Sequence, residues 1–170
     1  MKTQTIPNTK MHNLCQLTLI LGLLMASTVV QAQWERVHRS VTPSGAFRGG
    51  NEADGSPLYV ARTHHEGGVH IGKARQNAAE AFIPYGGEEL IVDNYEVYVG
   101  KGKWLSISNG RFPKGAVVGG NENDGSYLYV VRAYIGGGWH IGKARENARE
   151  AFIPYGGKEE LVTDYQVLVR

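Results

Sequence analysis

The sequence predicts an all-β protein in which two copies of one unit are intertwined or closely packed into a β-sandwich-like body with pseudo-two-fold symmetry. Three observations lead there. Residues 34–100 recur at 104–170 without a gap, and 38 of the 67 aligned positions are identical. Apolar and polar side chains alternate with the two-residue period of half-buried strands, as in Leu58, Val60 and Arg62 against Tyr59, Ala61 and Thr63, or Tyr95, Val97 and Val99 against Glu96 and Tyr98. Glycine pairs at Gly49-Gly50, Gly67-Gly68 and Gly86-Gly87 interrupt any 3.6-residue period, so helices are not expected.

Along the chain, residues 1–32 read as a secretion signal. Lys2 and Lys10 precede an apolar stretch from Leu14 to about Ala26, and Val30-Gln31-Ala32 supplies the small residues of a cleavage site before Gln33. The stretch is broken by Gln16 and Thr18 and falls short of the ~20 apolar residues of a membrane span. The expected destination is extracellular or periplasmic. Of 18 basic and 16 acidic residues, only Lys2 and Lys10 belong to this segment, so residues 33–170 are electrically balanced. That argues against nucleic acid and anionic membranes as partners, since both are bound through excess positive charge. The single cysteine, Cys15, also lies in the segment, so neither a disulfide framework nor thiolate metal ligation is expected.

Residues 33–100 and 101–170 form the two repeats. Asp54-Gly55 and Asp124-Gly125 carry hairpin-turn chemistry, residues 75–81 have room for one helical turn, and Pro84 marks a strand end or edge. Gly100 to Lys103 is too short for a flexible spacer, so the repeats are expected to pack on each other. A unit of this size is marginal alone, because small domains bury too little surface.

Two blocks carry candidate chemistry. Gly-Gly-Asn-Glu-x-Asp-Gly-Ser, at 49–56 and 119–126, offers Glu52 and Glu122, with glycines that leave room for a ligand to approach the backbone. Asp54 and Asp124 are read first as turn residues and only secondarily as ligand contacts. Gly-Gly-x-His-Ile-Gly-Lys-Ala-Arg, at 67–75 and 137–145, offers Lys73 and Lys143 with small neighbours. An ammonium donor beside a carboxylate acceptor suits a neutral polyhydroxylated ligand. His70 and His140 are read as supports for the neighbouring lysine or as lining of the same cleft. His64 and His65 do not recur, so no metal site is expected, and no cofactor pattern is present. No nucleophile elbow, ordered Ser-His-Asp set or HExxH occurs, and catalysis is not expected.

The order of Trp34, Pro43 to Ala46, Gly49 to Glu52, Leu58 to Arg62, Gly72-Lys73, Ile83 to Gly87 and Tyr95 to Val97, repeated 70 residues later, resembles a tandem DM9 repeat. The resemblance implies an intertwined all-β tandem and lectin behaviour with a preference for mannose-type sugars on microbial or cell surfaces. It places sugar contacts at Glu52 and Lys73, and at Glu122 and Lys143. The family often has Asp where this chain has Glu. The expectation is thus a secreted, metal-independent lectin with two sites, homodimer formation being open. The rival is a structural or partner-binding β module in which the Glu and Lys side chains hold the repeats together. Trp139 replaces Val69 in the second copy, and an aromatic platform there is expected to tighten the second site.

Overall fold

The computed structural model describes residues 33–107 and 110–170. The expected secretion signal and the peptide bonds before Gln33 lie outside the described residues. The first copy contributes β1 (Gln33–Arg36), β2 (Arg48–Asn51), β3 (Pro57–His65), β4 (Gly68–Arg75), β5 (Ala81–Tyr85), β6 (Glu88–Val92) and β7 (Glu96–Val99). The second contributes β8 (Lys103–Ser106), β9 (Val118–Asn121), β10 (Tyr127–Ile135), β11 (Gly138–Arg145), β12 (Ala151–Tyr155), β13 (Lys158–Val162) and β14 (Gln166–Val169). The protein is all-β.

The strands hydrogen-bond in the order β1-β7-β3-β2-β11-β12-β13-β6-β5-β4-β9-β10-β14-β8, and β3 also pairs with β4 and β10 with β11. Exchanging each strand for its equivalent in the other copy reverses the order, which is the signature of a two-fold relation. The extra pairings close a ring: β3 to β2, β2 to β11, β11 to β10, β10 to β9, β9 to β4 and β4 back to β3. Each copy supplies three strands to this antiparallel barrel. Closure removes the edges that either half would expose alone.

The barrel's seams between copies are short, Asn51 opposite Trp139 and Val69 opposite Asn121, and outside the barrel Lys158 of β13 pairs with Glu88 of β6. The barrel seams depend on glycine. A Cβ on Gly50 would stand 1.9 Å from the Trp139 carbonyl oxygen, and one on Gly120 would stand 2.0 Å from that of Val69. The space beside Gly-Gly-Asn-Glu, expected to admit a ligand, is therefore filled by the other copy.

The turns follow their sequence chemistry. Asp54 Oδ1 accepts a hydrogen bond from Ser56 N at 2.8 Å, Gly55 adopts φ 86°, and Gly55 N donates to Glu52 O at 2.9 Å. Tyr85 pairs with Glu88 across Gly86 and Gly87, both at positive φ. Residues 75–81 do not make a helical turn: β4 runs on to Arg75, and a tight turn with Asn77 at φ 52° leads to β5. Pro84 fits as expected, because β5 pairs with β4 only at Ala81 and Phe82, leaving the proline on a free side of its strand.

The central core is shared. Leu58, Val60 and Ile71 meet Leu128, Val130 and Ile141, with Tyr98 and Leu168, while Trp34, Phe47 and Trp104 pack against it. Each buried Leu or Ile contributes roughly 1.5–3 kcal/mol, and most of that contribution requires the other copy. Smaller clusters lie within each copy, around Ala61 and Tyr95 and around Val131 and Tyr165.

The seams give a direct test. Gly50→Ala and Gly120→Ala should each lower the free energy of unfolding in urea by about 2–3 kcal/mol, the cost of forcing atoms into a filled site. Gly86→Ala, whose Cβ would meet open space at φ 65°, should cost only about 1 kcal/mol.

Candidate functional site

Strand alternation decides which side chains meet. His70 and Lys73 are three residues apart on β4, so they face opposite sides of the sheet. Each then serves a different cleft. Lys73 Nζ lies 3.2 Å from Nδ1 of His140, and Lys143 Nζ lies 2.9 Å from Nδ1 of His70. The histidine expected to support its neighbouring lysine supports the lysine of the other copy instead.

The first cleft, a cavity of about 320 Å³, is lined by Glu52, Lys73, Arg75, Phe82 and Glu89 of the first copy and by Tyr155 and Gly156 of the second. Its floor is the Lys73 ammonium, only 4% exposed. The ammonium pairs with Glu89 Oε1 at 3.1 Å and donates to the Pro154 carbonyl, with the Tyr155 and Phe82 rings 5.6 and 5.9 Å away. Its three N–H groups thus have three acceptors within the protein. Glu52 stands at the mouth, where its Oε1 accepts from Arg75 Nε and Nη2, both at 3.0 Å.

Two-fold symmetry repeats the arrangement in part: Lys143 keeps the histidine contact, but among the described residues it makes no ion pair equivalent to that of Lys73 with Glu89. Lys143 is buried beside the rings of Tyr85 and Phe152, at 5.3 and 5.9 Å, and Arg145 Nη2 pairs with Glu122 at 3.0 Å. Glu89 and Glu159 also tie the copies together: Gly157 N donates to Glu89 Oε2 and Gly87 N to Glu159 Oε2, each at 2.8 Å.

Glu52 and Lys73 therefore share a cleft, as do Glu122 and Lys143 beside His70. In the first cleft the acid paired directly with the lysine is Glu89, four residues beyond Tyr85, and Glu52 is turned to Arg75. Asp54 and Asp124 remain at the exposed turn, where hydrogen bonds from Ser56 and Ser126 hold their carboxyls below the usual range. Trp139 does not join the Lys143 cleft. It is on the same strand face but four residues away, about 13 Å along β11, with buried Ile141 between, and its ring lies 4.3 Å from the Arg132 guanidinium. The basis for a tighter second site is thereby removed. Sequence reasoning did not single out Glu89, Glu159, Arg75, Arg145, Tyr85 or Tyr155 as site residues. Each is identical in both copies, so the repeat carried a signal, but nothing in the sequence showed which cleft they line.

Burial sets the electrostatics. It pushes the lysines below their usual range, opposed in Lys73 chiefly by Glu89 and in Lys143 by Glu122 and then Glu159. His70 and His140 are pushed down to about 4, first by burial and then by the facing ammonium. Both imidazoles are therefore neutral at pH 7, which leaves Nδ1 free to accept the lysine proton. Among the described residues, no three His, Cys, Asp or Glu side chains gather into a metal-binding group.

The DM9 repeat family matches the chain twice, over residues 8–92 and 74–163. No curated protein matches the sequence significantly. Among solved structures, the crystal structure of the nematode sperm cell motility protein MFP2B shares the fold at a TM-score of 0.59 and 16% identity. The alignment covers 81% of this chain and 46% of that one, so the chain spans less than half the length of this neighbour.

The histidines make stability depend on pH. Their folded pKa of about 4 lies below the ordinary 6.5, so between these values the unfolded chain binds protons that the folded chain excludes. Stability should be full above pH 6.5 and fall as the pH drops towards 4, by up to ~1.4 kcal/mol per pH unit for each histidine. Urea midpoints measured from pH 7.5 to 4.5 should show this fall, and His70→Gln with His140→Gln should flatten it.

Proposed function

Because the chain belongs to the DM9 repeat family, we propose that it is a non-catalytic carbohydrate-binding module, a lectin with two symmetry-related clefts directed at mannose-type glycans of microbial or cell surfaces. The supporting observation is the composition of the cleft. A carboxylate and a guanidinium, Glu52 and Arg75, stand at the mouth over a buried ammonium, with the Tyr155 and Phe82 rings alongside. Sugar hydroxyls are both donors and acceptors, and such a set meets both needs. Glu52 and Arg75 make the outer contacts in this reading, while Lys73 directs positive charge upward from the floor. Glu122, Arg145 and Lys143 do the same in the second cleft. We place the protein outside the cell, following the secretion signal read in residues 1–32. Single sites are weak, with dissociation constants on the order of 0.1–1 mM, and two sites on one chain raise avidity on a multivalent surface.

A second reading rests on a specific observation. All three Lys73 donors are already engaged, two of them by His140 and Pro154 of the other copy. The lysines on this view are buried interlocks between copies, and the module binds a protein or serves a structural role.

The mouth glutamates separate the readings, and the buried lysine does not. Lys73→Ala should cost about 3 kcal/mol of stability under either, because it leaves Glu89, whose side chain is 12% exposed, without its partner. Glu52→Gln and Glu122→Gln should barely change the melting temperature, as each loses an ion pair with an arginine that is more than half exposed. On a mannose-type glycan array, each single variant should retain one site and the double variant should lose binding, unaffected by chelator. Full binding by the folded double variant, or a blank array for the unaltered protein, would rule out the lectin reading.

A further inference from the structure

The two copies differ in shape beside their equivalent arginines, Arg62 and Arg132. In the second, the Arg132 guanidinium lies between two indoles, 4.6 Å from the Trp104 ring centre and 4.3 Å from that of Trp139. In the first, Arg62 keeps the same frame. It lies 4.2 Å over Trp34 and donates to Gly119 O at 3.3 Å, as Arg132 donates to Gly49 O at 3.1 Å. Its Nε meets Glu96 at 2.7 Å, as that of Arg132 meets Gln166 at 2.8 Å. The second indole is missing, because position 69 is valine. A cavity of about 330 Å³ opens there, bounded by Arg62, His64, Val69, Val118, Asn121 and Tyr127.

The walls of this slot are apolar and accessible: Val118 is 40% exposed and Tyr127 is 64% exposed, standing where the other copy has Arg48 and Pro57. Among the polar residues at the slot, Arg62, His64 and Asn121, the guanidinium carries the fixed charge, and that charge is already matched by Glu96. That argues against an anion as the occupant. What the guanidinium still offers is its flat upper face, which attracts an aromatic π-system and gains little from a saturated chain. The other copy displays the matching occupant, a tryptophan ring against Arg132 with its edge to the Tyr134 ring at 5.6 Å. His64 takes the place of Tyr134 in the first copy.

We propose that the slot over Arg62 and Val69 is a binding site for the tryptophan side chain of a polypeptide ligand, held as Trp139 is held in the symmetry-related position. The site is distinct from the glycan clefts in its lining, as Val69 lies four residues from Lys73 on β4, about 13 Å. Although Val69 neighbours His70 of the second cleft, successive side chains of a strand face opposite sides of the sheet, so only Asn121, beside Glu122, brings the slot near that cleft. Loss of sugar binding would leave this site intact, and the converse also holds.

The test titrates the full chain, isotopically labelled for NMR, with N-acetyl-tryptophanamide. Shifts should centre on Val69, Gly119, Gly120, Asn121 and Tyr127, with a dissociation constant on the order of 1–10 mM. N-acetyl-leucinamide should bind roughly threefold more weakly or worse, for want of the cation–π contact. Val69→Trp should fill the slot and weaken binding of the probe at least tenfold. Trp139→Val should open the mirror slot and add shifts at Gly49, Gly50 and Asn51. Shifts scattered away from the slot, equal binding of both probes, or unchanged binding by Val69→Trp would overturn the proposal. If Trp139→Val does not fold, the Val69→Trp comparison decides alone.

Discussion

Everything in this molecule depends on two close approaches between its halves, β2 against β11 and β9 against β4. At these seams a carbonyl of one copy occupies the space where Gly50 or Gly120 would carry a side chain. Glycine makes the approach possible, and the approach closes the barrel. Once the ring is closed, Leu58, Val60 and Ile71 have Leu128, Val130 and Ile141 to bury against, and neither copy needs a complete core of its own. This is how a repeat that is marginal by size becomes a stable body without cysteines among residues 33–170.

Closure also builds the clefts. The period of two sends His70 and Lys73 to opposite faces, and the two-fold axis brings His140 to Lys73 and His70 to Lys143. Each cleft is therefore composite, although there are two of them. Glu89 and Glu159 show the same economy, with one carboxylate oxygen of Glu89 on Lys73 and the other on the Gly157 amide. A side chain that holds the halves together also sets the charge at the cleft floor. Stability and binding chemistry are coupled there, whereas at the mouth the half-buried Glu52 pairs with the exposed Arg75 of its own copy.

The copies diverge most visibly in shape at a place away from the cleft lysines. The Val69 and Trp139 positions face the arginine frames, so the same scaffold is filled in one copy and open in the other. Duplication with a local difference lets one half serve as a physical template for what the other half lacks.

By itself the sequence determined the fold class, a unit of short strands and its duplication, because alternation, turn glycines and a 70-residue period are local properties written along the chain. Asp54-Gly55 and Tyr85-Gly86-Gly87-Glu88 form the turns their residues require, and Glu52 shares its cleft with Lys73 as the repeated blocks indicated. Tertiary structure alone decided the partners. Nothing within β4 shows that His70 belongs to Lys143, that Glu89 rather than Glu52 pairs directly with Lys73, or that Gly49-Gly50 accommodates a strand instead of a ligand. Even Trp139, only four residues from Lys143, is directed to Arg132 by its place near the end of β11. His70 and Gly50 meet partners in the other copy, through strand pairing across the two-fold axis, while Glu89 and Trp139 meet partners within their own copy, and in either case local sequence carries no information about which faces will meet.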